Sequence, residues 1–513
     1  MRARRASALP GAMQATTVDV ELADDEDAVV LTVDEFGELD WVFADGTRVS
    51  NAPTDQRRAA RKRATRQRAS PAAPTASRTA QFSISAAPTP ATRSTHTTRR
   101  RRVSSVLRAV GGWLFKFIRR KVTGLLITHL EKGVTAGLVR VASTVPSEWA
   151  TLGERFTLPP VTTRTGAAPR VLLLVHGTFS STVGSFGGLG FTVPGVALLH
   201  AMHEQYDHIL GWNHRTLSET PAQNAQAILH ALDRAFPPGT TRPVIDVIAF
   251  SRGGLVTRTL LEQLVPGTRW SDAFARVIFV ASTLAGTLLA QRAQWNTLVT
   301  VMTNLAVAAC RGVATALPPA AVAAVWVETV ARGVAALVRF LATALLDSEA
   351  VPGLAAMDPQ QQVVKDLNSS PPPATRVQTY HAVSNDYEPN GAGAEVASEA
   401  MPSALKLKLW DLAMDAQMRQ ANDLVVNTSS METVAGLPID AQRTLALPQN
   451  GRTMHTTCFR DPDIIAQLRH WLIDSESEFA PALASVRRGR RAILSRRRQS
   501  ADRSSGPMLN IPA

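Results

Sequence analysis

Ser251 closes an apolar run, VIDVIAFS, and precedes a helical pattern, LVTRTLLEQL. The residues two places before and after it, Ala249 and Gly253, are both small. A strand that turns sharply into a helix can hold a serine in a strained conformation with its hydroxyl exposed, if no bulk flanks it. The helix N-terminus then favours negative charge developing beside it. This is the chemistry of a serine nucleophile, although a serine that merely caps a helix accounts for the same residues. An earlier apolar run, RVLLLV, ends in His176-Gly177-Thr178-Phe179-Ser180. The backbone amides of Thr178 and Arg252 would be two donors for an oxyanion, each contributing about 2.7–4 kcal/mol to the barrier. His176 and Gly177 are expected to order that loop rather than react. The SSTVGSFGGLG that follows is as rich in Gly and Ser as a phosphate loop, but it lacks the Gly-Lys-Ser/Thr ending.

A serine needs a base, and on strand-to-helix elbows the chain order is serine, acid, histidine. His381, His455 and His470 follow Ser251. Strand packing explains His381 in TYHAVSND, and a helix-end role explains His470 in LRHWL. His455, in the loop GRTMHTTCF ahead of the last helix, is free to reach across strand ends and is the expected base. Two acids compete to orient it. Asp386 ends the strand of HAVSND, and Asp423 lies in NDLVVNTSSM, with room for one strand, TLALP, before His455. Turn capping explains either acid taken alone. Given a triad, Asp423 is preferred and Asp386 is the alternative.

HGTFSST, AFSRGG, the AGTLLA of 285–290, NDLVVNTSSM and MHTTCF together resemble bacterial α/β-hydrolases of the lipase and esterase kind, over about residues 160–475. HGTFSS with SRGG also resembles an uncharacterised group of hydrolase-like domains in large bacterial proteins. The resemblance implies Ser251 as nucleophile, Asp423 as acid and His455 as base, in an esterase forming an acyl-enzyme without metal or cofactor. The chain departs from the pattern in Ala249, in Phe250 where histidine is frequent, and in Arg252, which is expected to set a cation beside the nucleophile. The rival reading is a hydrolase-like domain kept for binding, a scaffold in a bacterial defence, signalling or membrane-surface system.

These residues must be carried by strands that end near one another. RVLLLV, VIDVIAF, RVIFV and TRVQTYHAV are solid apolar runs alternating with helical patterns. They predict an α/β fold with a doubly wound, mostly parallel sheet covered on both faces, with ligands at the carboxyl ends of the strands. Residues 290–350, rich in Ala, Val and Leu but broken by Pro318-Pro319, are expected to form a helical cap that favours an apolar acyl chain. Additional buried core helices are the alternative.

Outside 160–475 the composition changes. Residues 1–48 hold an acidic segment whose alternation in VVLTV and LDWVF allows a hairpin around EFGEL. Residues 49–102 are mostly Arg, Ala, Thr, Ser and Pro and are expected to be a disordered basic linker. Within 103–150, apolar residues from Val103 to Leu126 recur at helical spacing, which predicts an amphipathic helix packed on the main domain or lying on a membrane. Residues 484–513 are expected to be a disordered basic tail. Net charge is +12 over 51–102 and +7 over 484–513, so of the chain's +13 the remainder carries −6. A nucleic-acid enzyme more often carries basic charge on its folded surface. The basic segments are expected either to be solvated or to touch an anionic membrane, or nucleic acid without sequence preference. Two cysteines, Cys310 and Cys458, exclude a disulfide scaffold. The basic MRARRASALPGAMQ has no apolar stretch behind it, so a cytoplasmic location is expected, with attachment to the inner membrane face through the basic segments as a variant.

Overall fold

The computed structural model describes residues 14–23, 26–33, 39–42, 46–49, 77–86, 113–118, 131, 134–153, 158, 168–295, 297, 298, 301, 351–392, 414, 415 and 418–475. Most of the cap expected at 290–350, the tail at 484–513 and most of the linker lie outside the described residues.

Six strands precede the main sheet: β1 (Gln14–Ala23), β2 (Glu26–Val33), β3 (Leu39–Val42), β4 (Gly46–Val49), β5 (Ser77–Ala86) and β6 (Trp113–Ile118). They form two antiparallel three-stranded sheets, ordered β1-β5-β4 and β3-β2-β6. Two segments differ from what their composition and spacing predict. Residues 77–86 are not linker: β5 pairs with β1 along its whole length, from Ser77↔Ala23 to Ala86↔Gln14. Alternation puts Ala80 and Phe82 on the buried face, and two well-placed apolar side chains matter more than the polar average of the segment. Residues 113–118 are strand rather than helix. WLFKFI is rich in aromatic residues and pairs from Trp113↔Leu31 to Ile118↔Glu26, and Gly111-Gly112 ahead of it disfavour helix. The rest of 103–126 lies outside the described residues. Residues 137–151, counted in the same helical segment, hold two short strands, β7 (Gly137–Arg140) and β8 (Ala150–Thr151).

The four apolar runs form β9 (Arg170–Val175), β11 (Val244–Phe250), β12 (Phe274–Val280) and β13 (Tyr380–Ala392), and HILGWN, not read as a strand from the sequence, adds β10 (His208–Asn213). A two-stranded ribbon follows, β14 (Thr433–Val434) with β15 (Leu437–Pro438), and then β16 (Thr444–Asn450). The main sheet has eight strands in the order β8-β7-β10-β9-β11-β12-β13-β16. The six strands from β10 to β16 in that order pair in parallel, while β7 and β8 are antiparallel. The apolar runs are continuous because both faces are buried. In β9, Leu172 and Leu174 enter one core cluster while Val171, Leu173 and Val175 enter the other.

Helices α1 (Thr182–Phe186) and α2 (Val193–Gln205) follow β9, and α3 (Pro221–Ala235) follows β10. α3 starts with a reciprocal cap between Thr220 and Gln223 and with Pro221 in its first turn. α4 (Gly253–Arg258) follows β11 and runs on into a wider turn over Thr259–Leu264. Later come α5 (Gln362–Ser369), α6 (Thr428–Glu432) and α7 (Pro462–Arg469). Leu198 and Met202 of α2 and Ile464 and Leu468 of α7 cover one face, and Ile228 and Leu232 of α3 cover the other. The chain leaves β9 for β10 on one side and returns to β11 on the other. The loops after β9 and β11 therefore meet where the winding reverses, the usual ligand site of such sheets. Among the described residues no single helix is long and apolar enough to cross a membrane.

Candidate active site

Ser251 follows the last residue of β11 and is held at φ 55°, a left-handed conformation costly for a serine. Its amide bonds to the Val280 carbonyl at 3.1 Å, and its own carbonyl accepts from Gly254 and Thr283. The turn is possible because its neighbours are small. A Cβ at position 253 would stand 2.3 Å from the Val175 carbonyl oxygen, and one at Gly177 would stand 2.6 Å from the Ser251 Cβ. Ala249 is fully buried between β9 and β12.

Three side chains converge. His455 Nε2 lies 3.0 Å from Ser251 Oγ, and His455 Nδ1 lies 2.6 Å from Asp423 Oδ2. A carboxylate only accepts, so Nδ1–H donates and Nε2 is left to receive the serine proton. The other Asp423 oxygen accepts from the amides of Val425 (3.1 Å) and Val426 (2.8 Å). All three residues are buried. Phe250 lies against the imidazole, ring centres 4.9 Å apart, so the residue that replaces the frequent histidine packs the base in place.

The His455 loop is braced from both sides. Asn450 Oδ1 accepts from the Thr453 amide at 2.6 Å, and Asn385 Nδ2 donates to the Thr453 carbonyl at 2.6 Å. Asp461 caps α7 and accepts from Arg452 at 2.7 Å and from the Thr453 hydroxyl. Asp386 makes no hydrogen bond to His455 among the described residues. It accepts from the amides of Asn422 and Gln449, each at 3.2 Å, and so ties the Asp423 loop to the end of β16. His381 packs against Trp471, and His470 is exposed at the end of α7.

Thr178 and Ser251 border a pocket of about 270 Å³, part of it open to solvent, with apolar walls from Phe179, Leu298, Met357 and Val425. Among the described residues, neither the Thr178 nor the Arg252 amide donates to a protein acceptor. The Arg252 side chain corrects the expectation of a cation beside the nucleophile. It is fully buried and donates to the Gly353 carbonyl (3.1 Å), Asn224 Oδ1 (2.9 Å) and the Glu219 carbonyl (2.5 Å). Burial lowers its pKa to about 10, against the pull of Glu131 and Glu219, which leaves it charged at neutral pH. Glu131 in turn accepts from the amides of Thr216, Leu217 and Ser218. The cation thus anchors the turn ahead of α3. Sequence spacing gave no sign of this, because Gly353 is about a hundred residues away.

His176 does order the loop. Its Nδ1 donates to the Gly177 carbonyl at 2.8 Å, its Nε2 accepts the His214 amide at 3.2 Å, and its ring stacks on His214 at 4.0 Å. Burial, with a smaller push from Arg252 and against the bond to Gly177, lowers its pKa to about 4. Burial likewise lowers His381 to about 4 and His214 well below the ordinary value. A histidine depressed in the folded state takes up its proton more readily when unfolded. The stability from folding it neutral is complete above about pH 6.5 and is lost as pH falls toward about 4. Each such histidine should contribute about 1.4 kcal/mol per pH unit across that window. The urea midpoint is expected to be clearly lower at about pH 5 than at pH 7. Equal midpoints would mean that these rings are not buried neutral.

Among the described residues, no three His, Cys, Asp or Glu side chains cluster as metal ligands do. Cys458 is a buried free thiol whose pKa burial raises well above its ordinary value. Thr283, beside Ser251 in the pocket, was not picked out from the sequence, although it sits in the small polar stretch that ends RVIFV.

The strand order, the elbow after β11 and the loops after β9, β13 and β16 define an α/β-hydrolase fold. The chain belongs to the family described as "Domain of unknown function (DUF7379)", which it matches over residues 136–473. No curated protein matches it. Among solved structures it is similar to phospholipase PlaB from Legionella pneumophila, with 11% identity, 51% of this chain and 45% of that one covered, and a TM-score of 0.31. It is also similar to the Bacillus licheniformis lipase BlEst2 in its propeptide form (12% identity, 61% and 52% covered, TM-score 0.33). EstA from Clostridium botulinum is a third (13% identity, 68% and 97% covered, TM-score 0.34). The chain spans about half the length of the first two. At these values the likenesses add nothing to what the strand order already defines.

Proposed function

We propose that the protein is a serine hydrolase that cleaves carboxylic esters through an acyl-enzyme. The observation that carries this reading is the line of hydrogen bonds from Ser251 Oγ through His455 to Asp423, at 3.0 and 2.6 Å. His455 Nε2 removes the hydroxyl proton as Oγ attacks the acyl carbon. The carbonyl oxygen becomes an oxyanion, and the Thr178 and Arg252 amides are the donors for it. The carbon–oxygen bond to the alcohol then breaks, and the alcohol leaves with the proton from His455. Water, deprotonated by His455, attacks the acyl-serine, and the carboxylic acid is released. Asp423 stays ionised and keeps Nδ1 protonated throughout. An apolar acyl chain would lie along Phe179, Leu298, Met357 and Val425.

The location remains a proposal of the same kind: a cytoplasmic enzyme whose basic N- and C-terminal segments reach an anionic surface. The hydrolytic reading is tested with the purified full chain and p-nitrophenyl butyrate. Steady release of p-nitrophenol above the rate in buffer is expected, and a rate equal to buffer would count against it.

A further inference from the structure

Resting on Ser251 as the nucleophile, one group in the pocket says more about the acyl chain. After β12 the backbone turns at Ala281 (φ 45°) and brings Thr283 beside the elbow, where its amide donates to the Ser251 carbonyl at 3.2 Å. Thr283 is only 1% exposed and lines the pocket. Its hydroxyl has no hydrogen-bond partner among the described residues. Four hydroxyls around the pocket and its turn are engaged. Thr287 Oγ1 donates to the Val425 carbonyl (2.6 Å), Ser282 to that of Ala249 (3.1 Å) and Ser430 to that of Gly286 (2.6 Å), while Thr178 meets Met357 Sδ at 3.3 Å. An unpaired buried hydroxyl is unfavourable, and a valine of the same shape would avoid the penalty. Thr283 lines the same pocket as Ser251, with Phe179, Leu298, Met357 and Val425 as its apolar walls. An acyl chain that enters it passes between residues that line it together with Thr283.

We propose that Thr283 is a specificity-determining residue whose hydroxyl bonds to a polar substituent on the acyl chain, so that the preferred substrates are esters of hydroxy- or oxo-acids. A site built to hydrogen-bond a substrate group discriminates against the analogue that lacks it, because its own polar atom is then left unpaired.

The test compares p-nitrophenyl 3-hydroxybutyrate with p-nitrophenyl butyrate for the full chain, for Thr283→Val and for Thr283→Ser. The readout is the ratio of the two kcat/KM values. The native chain is expected to favour the hydroxy ester by about tenfold, Thr283→Val to abolish that preference, and Thr283→Ser to keep it. Fluorophosphonate labelling of Ser251 in each variant reports whether the site is assembled. If the site labels and the native ratio is near one, or is unchanged in Thr283→Val, the proposal is overturned while the serine hydrolase reading stands. If Ser251 of the native chain does not label, that reading fails and the proposal falls with it. Should Thr283→Val alone fail to label, the native ratio and the serine variant still decide.

Discussion

Replacing Ser251 by alanine is expected to lower turnover of a p-nitrophenyl ester by on the order of 10⁶-fold, leaving only what binding and the oxyanion donors provide. The substitution removes one oxygen from a site already tightly closed by Gly177 and Gly253, so the fold should be kept. Alanine also relaxes nothing in the turn, since the left-handed conformation at 251 is imposed by the bonds to Val280, Gly254 and Thr283. The expected signature is a collapse of kcat with an unchanged circular dichroism spectrum and urea midpoint. A loss of less than about tenfold would mean that another group attacks the ester.

The second large effect concerns the acid. Asp423→Asn should lower kcat by on the order of 10⁴-fold. The amide can turn its NH₂ toward His455 and so stabilise the tautomer with Nε2 protonated, which cannot accept the serine proton. Its oxygen would still accept from Val425 and Val426, so the loop should persist. Asp386→Asn removes charge from a group that only accepts two amides at 3.2 Å, and it should change kcat far less. Measuring kcat and KM for both variants on one ester decides the matter. The reverse ranking would show that the Asp423 contact orients nothing that matters to turnover.

What the sequence made legible follows from how each part is stabilised. β9, β11 and β12 could be read directly because both of their faces are buried, which leaves an uninterrupted apolar run. Ser251, Asp423 and His455 could be chosen because each stands just beyond a strand or ahead of a helix, where the residues that surround it are small or polar. The strand at 77–86 was hidden because its burial depends on alternation, not on composition: Ala80 and Phe82 are enclosed while their neighbours stay polar. WLFKFI satisfied helical spacing as well as strand alternation, and only the pairing with β2 decides between them. Arg252 was misread because a long side chain's direction is set by remote partners, here Asn224 and Gly353. Thr283 escaped notice because a threonine in a turn carries no signal until it is seen to line a pocket with a hydroxyl that has no partner among the described residues.

Covalent labelling reads most directly whether Ser251 is a nucleophile activated by His455. The full chain would be treated with a fluorophosphonate probe, digested, and the modified peptide identified by mass spectrometry. One phosphonyl group on Ser251 is predicted, formed under conditions that label a known esterase and absent from His455→Ala. An unlabelled Ser251 under those conditions, or labelling that persists undiminished without His455, would contradict it and leave a hydrolase-like domain that binds rather than cleaves.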